Sequence, residues 1–312
     1  MINRTMVRTR VVQTLFAYYN NEGKTPLTAQ KELLRSFSDT YSLYMMLLEF
    51  VNTLTRYAQE QLEESVQRAK VTHHDFKPNR RFVDNKFAKQ VFENLQLRHY
   101  TEEQQLMWDA GMNAVEDVYK MLTNSHFYRE YMRAETASYD DDKRIWRKIM
   151  TDLVPASKEM ETAMEELEVA LDKNHWMTDL EVVSSYVVKT IKRFKEENGA
   201  QQPLLPMFEN EDEVKFGTNL LKYALDNQQD YAELVKKHLQ NWDTERLAYM
   251  DKIILQTALA EVLNFPEIAL EVSLNEYLEI AKEYSSEKSH LFINGVLDEI
   301  LKNMKNDNKL IK

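Results

Sequence analysis

Cysteine is absent from the 312 residues, which excludes disulfides and thiolate metal sites and predicts a protein of the reducing cytoplasm. Glycine and proline are scarce, at five and six, so the turn material of an all-β or α/β fold is missing. Each glycine stands alone, so there is no Gly-rich phosphate loop and no nucleotide-binding fingerprint. A Ser or Cys nucleophile on a recognisable elbow is missing too. No run approaches the roughly 18 apolar residues of a membrane helix, and Met1–Asn21 lacks the apolar stretch and cleavage site of a secretion signal. These absences predict a helical protein, with no cofactor and no membrane partner.

What is present is charge and helical periodicity. The net charge of −11 argues against indiscriminate coating of nucleic acid, whose affinity comes from neutralising phosphates. The acidity is uneven. Residues 1–21 carry Arg4, Arg8 and Arg10 with no acidic residue, and Lys302, Lys305, Lys309 and Lys312 face only Asp307 at the other end. Runs such as Asp140–Asp142 and Glu209–Glu213 lie between them.

Thr25-Pro26 places a capping hydroxyl before a proline at a first helical position. Thr101-x-x-Gln104, Thr178-x-x-Glu181, Asn210-x-x-Glu213 and Ser273-x-x-Glu276 read as capping-box starts. In the last, Val272 and Tyr277 complete a hydrophobic staple and Glu276 is assigned to the cap. Apolar stripes at helical spacing run through Met250, Ile253, Ile254, Thr257, Ala258 and Glu261, through Leu274–Tyr284, and through Phe292–Leu301. Leu43–Val66, Ala88–Leu97, Ile145–Leu171 and Val182–Phe194 carry the same pattern. Flexible joints are expected at His73–Arg81 and Gly199–Asp212.

Two sets of residues suggest metal. Glu287-x-x-His290 has the spacing of di-iron bundles, but that chemistry needs a second such motif and further glutamates. His73-His74 are neighbours that would point about 100° apart on a helix and so chelate poorly. No metal is expected at either.

The two ends of the chain carry the more specific signal. The first helix reads Arg4-Thr5-Met6-Val7-Arg8-Thr9-Arg10-Val11-Val12-Gln13, and the last quarter contains Trp242–Leu247, Met250-Asp251-Lys252, Asn275-Glu276, Ala281-Lys282 and Ser289-His290-Leu291-Phe292-Ile293-Asn294-Gly295-Val296-Leu297-Asp298. In order and spacing these blocks resemble the NusB family, strongly over about 213–301 and fairly over 2–20. The resemblance implies an all-α, NusB-like helical bundle formed by residues 1–38 and 213–312, with a helical insertion over 39–212. Either 216–231 or 43–57 fills the family's middle-helix slot, the former joining the Trp242 block without another insertion.

The resemblance further implies a transcription antitermination factor with no enzymatic activity. It would bind the boxA element of ribosomal RNA transcripts together with NusE, a small-subunit ribosomal protein, within the transcription elongation complex. The RNA face it implies comprises Arg4, Arg8, Arg10, Gln13, Lys282, Lys288, Ser289, His290, Phe292 and Asn294. Tyr249, Asp251 and Lys252 are the implied partner-binding residues. Single-stranded RNA is gripped by cations on phosphates and aromatics under bases, and a helix N-terminus after Ser285–Lys288 suits a phosphate. Several positions keep two readings. Arg8 is in line with the apolar stripe of its helix, one turn away, and suits a carboxylate at the bundle's end as well as RNA. Arg10 and Gln13 point away from the stripe. Phe292 suits the core or a base, and Gly295 close packing or RNA. The chain departs from the family at Thr5 and Met6, which replace two arginines, and at Lys288, which replaces a common carboxylate and is expected to compensate in part. The rival reading is a helical protein-interaction scaffold that has lost specific RNA binding.

Overall fold

The computed structural model describes residues 1–71, 77–134, 136, 138–238 and 248–306. His73-His74, the Trp242–Leu247 block, Asp307, Lys309 and Lys312 lie outside them. Among the described residues there are fourteen α-helices and no strand, with a lone parallel bridge between Ile2 and Phe208. The fold is all-α. No helix among them is long and apolar enough to cross a membrane.

The chain forms two compact units, residues 1–37 with 207–312 and residues 38–206. The 46-residue helix α2 (Pro26–Val71) supplies its first part to one and its remainder to the other. It starts where Thr25-Pro26 directs, with the Thr28 N–H donating to Thr25 Oγ1 at 3.2 Å.

In the first unit, α12 (Tyr249–Asn264) is buried on nearly every side, with Ile253, Ile254, Leu255, Ala258, Leu259 and Ala260 essentially inaccessible. A helix apolar all round belongs at the centre of a bundle. It packs against α1 (Arg4–Asn20), α10 (Asp212–Asp226), α11 (Gln228–His238), α13 (Leu270–Tyr284) and α14 (Ser289–Asn306). Helices α1 and α10 approach so closely that a Cβ on Gly217 would lie 2.8 Å from Val7 Cγ1. Residues 216–226 thus belong to the helix lying against α1 and α12, whereas Leu43–Leu54 build the core of the second unit.

The second unit contains α3 (Lys86–Glu93), α4 (Leu95–Glu103), α5 (Met112–Asn124), α6 (His126–Arg133), α7 (Tyr139–Lys148), α8 (Lys158–Ala170) and α9 (Trp176–Arg193). The remainder of α2 is its axis, with Leu43–Leu48 fully buried. Indole N–H groups of Trp108 and Trp176 reach the Met46 and Asp39 carbonyls of α2 at 2.9 and 2.8 Å, satisfying donors that burial would otherwise orphan.

Several local expectations are corrected. Helix α4 starts at Asn94, whose side chain accepts from the Leu97 N–H at 2.9 Å, so Thr101 falls in its last turn. The same Asn94 interrupts the pattern over Ala88–Leu97. Helix α9 starts two residues before Thr178, whose hydroxyl donates back to the His175 carbonyl. Helix α10 is entered through an Asn210 side chain bonded to the Asp212 N–H rather than to Glu213. Gly199–Asp212 is no loose tether. Asn94 Nδ2 holds the Gln202 carbonyl at 2.7 Å, and the Ile2 N–H holds the Met207 carbonyl at 2.8 Å. A capping box does form at Ser138–Asp141, at the head of α7.

Candidate nucleic-acid interface

Helix α1 begins at the Asn3 cap and carries arginines at positions 4, 8 and 10. Spacing of four puts Arg4 and Arg8 on one face. That face meets carboxylates. Arg4 Nε lies 3.6 Å from Glu213, and the Arg4 and Arg8 guanidinium groups sit 5.1 and 5.3 Å from the Phe216 ring centroid.

Arg8 is 2% exposed and grips Glu261 as a fork, with Nε–Oε2 at 2.7 Å and Nη2–Oε1 at 2.8 Å. Ser273 and Tyr277 hydroxyls donate to the same carboxylate at 2.7 and 2.9 Å, giving Glu261 four donors. Glu276 approaches Arg8 Nη1 at 3.5 Å. Burial opposes the arginine charge, but the hydrogen bonds and charge of Glu261 outweigh it, so the Arg8 pKa is raised. Burial first, and then the negative Glu261, push the Tyr277 phenol well up, which keeps it a donor. Arg8 is therefore part of the bundle's core and is closed to a phosphate. Of its two readings, the carboxylate is the one realised.

The same network explains why Ser273-x-x-Glu276 is not a capping box. Helix α13 begins at Leu270, Ser273 already lies inside it, and its hydroxyl serves Glu261 twelve residues away. Glu276 turns to Arg8 instead of the cap, and Val272 is exposed while Tyr277 is buried, so no staple forms. A sequence signal for Glu261 did exist: it is an acid on the otherwise apolar stripe of α12.

Arg10, expected to point outward, is also 2% exposed, and its Nη1 donates to Gln13 Oε1 at 2.6 Å. Half-buried Gln13 in turn donates from Nε2 to Tyr284 Oη at 3.2 Å. This last bond brings the head of the chain to the end of α13, directly before the Ser285–Lys288 turn.

Asp251 corrects the partner-face expectation. It is 5% exposed and accepts hydrogen bonds from Ser285 Oγ and, at 3.0 Å, from Ser289 Oγ. A buried carboxylate bonded to two hydroxyls fixes the turn from inside and offers nothing to a partner. Ser289 is likewise 3% exposed and takes part in this pin. The turn also uses part of the helix N-terminus, since the Ser289 N–H donates to the Ser286 carbonyl and the Leu291 and Phe292 N–H groups donate to the Lys288 carbonyl.

Lys282 and Lys288 are exposed, while His290, Phe292 and Asn294 are partly exposed along the first turns of α14. Lys282 contacts Glu279. Gly295 is exposed, and a Cβ there would meet nothing within 4 Å, so close packing does not explain this glycine. Lys252 is exposed, and Tyr249 forms an edge contact with Phe16, both rings open to solvent. Sequence reasoning missed Tyr284, a tyrosine read only as part of an apolar stripe. Among the described residues no group of three or more His, Asp or Glu side chains is placed to hold a metal ion.

An all-helical bundle whose first helix is locked by a buried arginine to its central helix, and whose last turn is pinned by a buried aspartate, defines the class. Residues 179–302 match the NusB family model, a span that begins inside the second unit. A curated relative from Salinibacter ruber, named transcription antitermination protein NusB, is 34% identical over 132 residues, covering 40% of this chain and 82% of its own. Proteins of the same name from Koribacter versatilis and Bacillus licheniformis are 39% and 36% identical, covering 32% and 34% of this chain and 68% and 79% of theirs. The chain belongs to the NusB family. No solved structure matches it.

Proposed function

We propose that this protein is a non-catalytic transcription antitermination factor of the cytoplasm that binds single-stranded boxA-type RNA jointly with NusE in the elongation complex. Residues 39–212 are, in this reading, an insertion into a NusB-like core of residues 1–38 and 213–312. The observation that carries the reading is the Gln13–Tyr284 bond, which sets the polar side of α1 beside the turn leading into α14. Around it stand groups suited to an unpaired strand: the Lys288 and Lys282 ammoniums, the partly open Phe292 ring, and His290 and Asn294. Arg4 contributes at the edge. Arg8, Arg10 and Ser289 shape the surface from within rather than touching RNA. Tyr249 and Lys252 remain the candidates for the protein partner, without Asp251.

The scaffold reading has one observation in its favour, the burial of Arg8 and Arg10, which removes two cations from the surface. Gel shifts with a boxA-containing RNA and a scrambled control, each with and without NusE, separate the two. Preference for boxA that NusE strengthens supports antitermination. Equal binding to both RNAs, or none, supports the scaffold.

A further inference from the structure

Gly295 stands inside α14 for no reason that the fold itself supplies. Within a helix glycine is less stable than alanine, because its unfolded chain has more freedom to lose and its backbone is left open to water. The other four glycines each have a local cause. Gly23 and Gly199 adopt positive φ, at 83° and 49°. A Cβ on Gly111 or Gly217 would lie 2.9 Å from Trp108 or 2.8 Å from Val7. Gly295 has neither cause. It is not at positive φ, the helix runs on to Asn306, and a Cβ there would meet nothing within 4 Å. The bundle gains nothing from the missing methyl, so the gap serves something that lies against the outside of the helix.

Its place on the helix indicates what that is. The Lys288 carbonyl accepts from the Leu291 and Phe292 N–H groups at 3.2 and 3.3 Å, which sets Lys288 one turn before both. Gly295 follows one turn after them, at spacings of four and three. Lys288, the Leu291–Phe292 pair and Gly295 therefore share one face and span about 10 Å. Along it stand an exposed ammonium, a leucine 66% exposed, a partly open phenyl ring and then bare backbone. A cation for phosphate, a flat apolar surface for a base and room for a chain are what an unpaired strand requires. The next turn brings Asp298, partly exposed, and Glu299, exposed, whose charge repels phosphate and bounds the track. We propose that the sugar–phosphate backbone of the bound RNA crosses α14 at Gly295, in van der Waals contact with the helix backbone. The crossing lies between a base held at Phe292 and the acids of the following turn. This assignment rests on the RNA reading above and adds a contact made by the absence of a side chain. Any other residue at this position would hold the strand off by at least a methyl group.

The test uses the full chain and three readouts: affinity for a boxA-containing RNA, alone and with NusE, affinity for NusE without RNA, and thermal unfolding by circular dichroism. Gly295→Ala should raise the unfolding midpoint by about 2–4 °C, because alanine is the better helix former and has space there. The same change should weaken RNA about threefold or more, and Gly295→Leu about tenfold or more, while NusE binding without RNA stays unchanged. A merely structural glycine would move stability and RNA affinity in the same direction, so opposite signs are the signature. A parent chain with no preference for boxA over a scrambled RNA overturns the RNA reading and the crossing with it. A parent that prefers boxA while both variants bind RNA as well as it does overturns the crossing alone. So does a lowered midpoint for Gly295→Ala, or a loss confined to NusE binding, which would place the protein partner over this glycine.

Discussion

The two units bury polar groups by different means. The first places full charges in its interior and joins residues 253 positions apart, Arg8 and Glu261, through a two-pronged ion pair that Ser273 and Tyr277 complete. The second relies mainly on neutral amides, indoles and hydroxyls that hold backbone: Asn94 on Gln202, Trp108 on Met46, Trp176 on Asp39, Gln90 on Lys195 and Gly199. Its buried Asp142 is bonded by a phenol and a backbone N–H, from Tyr131 and Lys86, and its Lys173–Asp39 pair is looser at 3.6 Å. Charges fix which helices pair but leave a large penalty if one partner is lost. Neutral groups spread the risk over many small contacts.

The largest expected effect breaks the first unit. Glu261→Ala leaves Arg8 buried and unpaired and should cost about 3–5 kcal/mol in urea unfolding. Replacing the pair together, Arg8→Met with Glu261→Leu, should recover most of that; a single-substitution loss below about 1 kcal/mol would show that the pair does not hold the bundle. Next comes the matching change in the second unit. Asn94→Ala removes a helix cap and the anchor of Gln202 at once, with an expected cost of about 1–3 kcal/mol by the same measurement. A cost as large as that of Glu261→Ala would erase the contrast between the units.

Smaller effects sharpen it. Lys288→Glu lies on the surface and should leave stability within about 0.5 kcal/mol of the parent. In low salt it should weaken boxA RNA about tenfold, as reversal of a cation near phosphates does. Unchanged RNA affinity would show that Lys288 does not compensate for the arginines missing at Thr5 and Met6.

The smallest effect is one of pH. Burial raises the Glu49 pKa, against the lowering by the Asn52 hydrogen bond and by Arg56. A carboxyl raised in the folded state contributes stability below its unfolded pKa and loses it as pH rises through the folded one. Glu49→Gln should therefore stabilise at pH 7, by under about 1 kcal/mol, and lose that advantage as the pH falls toward 4. An advantage constant with pH would mean that the carboxylate carries no such penalty.

Much of the fold was readable because helices advertise themselves through spacing and few breakers. The stripe of α12 and the Thr25-Pro26 start needed no tertiary information. Ser273 shows where this ends. Ser-x-x-Glu is the local pattern of a cap, yet the helix starts three residues earlier, because the Ser273 hydroxyl is committed to Glu261 in the neighbouring helix. Arg10 and Asp251 were misplaced for a related reason. Each is charged and looks like a surface residue, and its burial depends on Gln13 in one case and on two serines 34 and 38 residues away in the other.

The order of polar and apolar residues determined by itself that this chain is helical, and the blocks of its last quarter, which lie within the matched span, marked its family. Periodicity is a one-dimensional property, set by 3.6 residues per turn, so one dimension suffices to read it. Which charges reach solvent was decided only by tertiary structure. The cost of burying a charge is cancelled or not by partners that stand as far as 253 residues away, and no local window contains them.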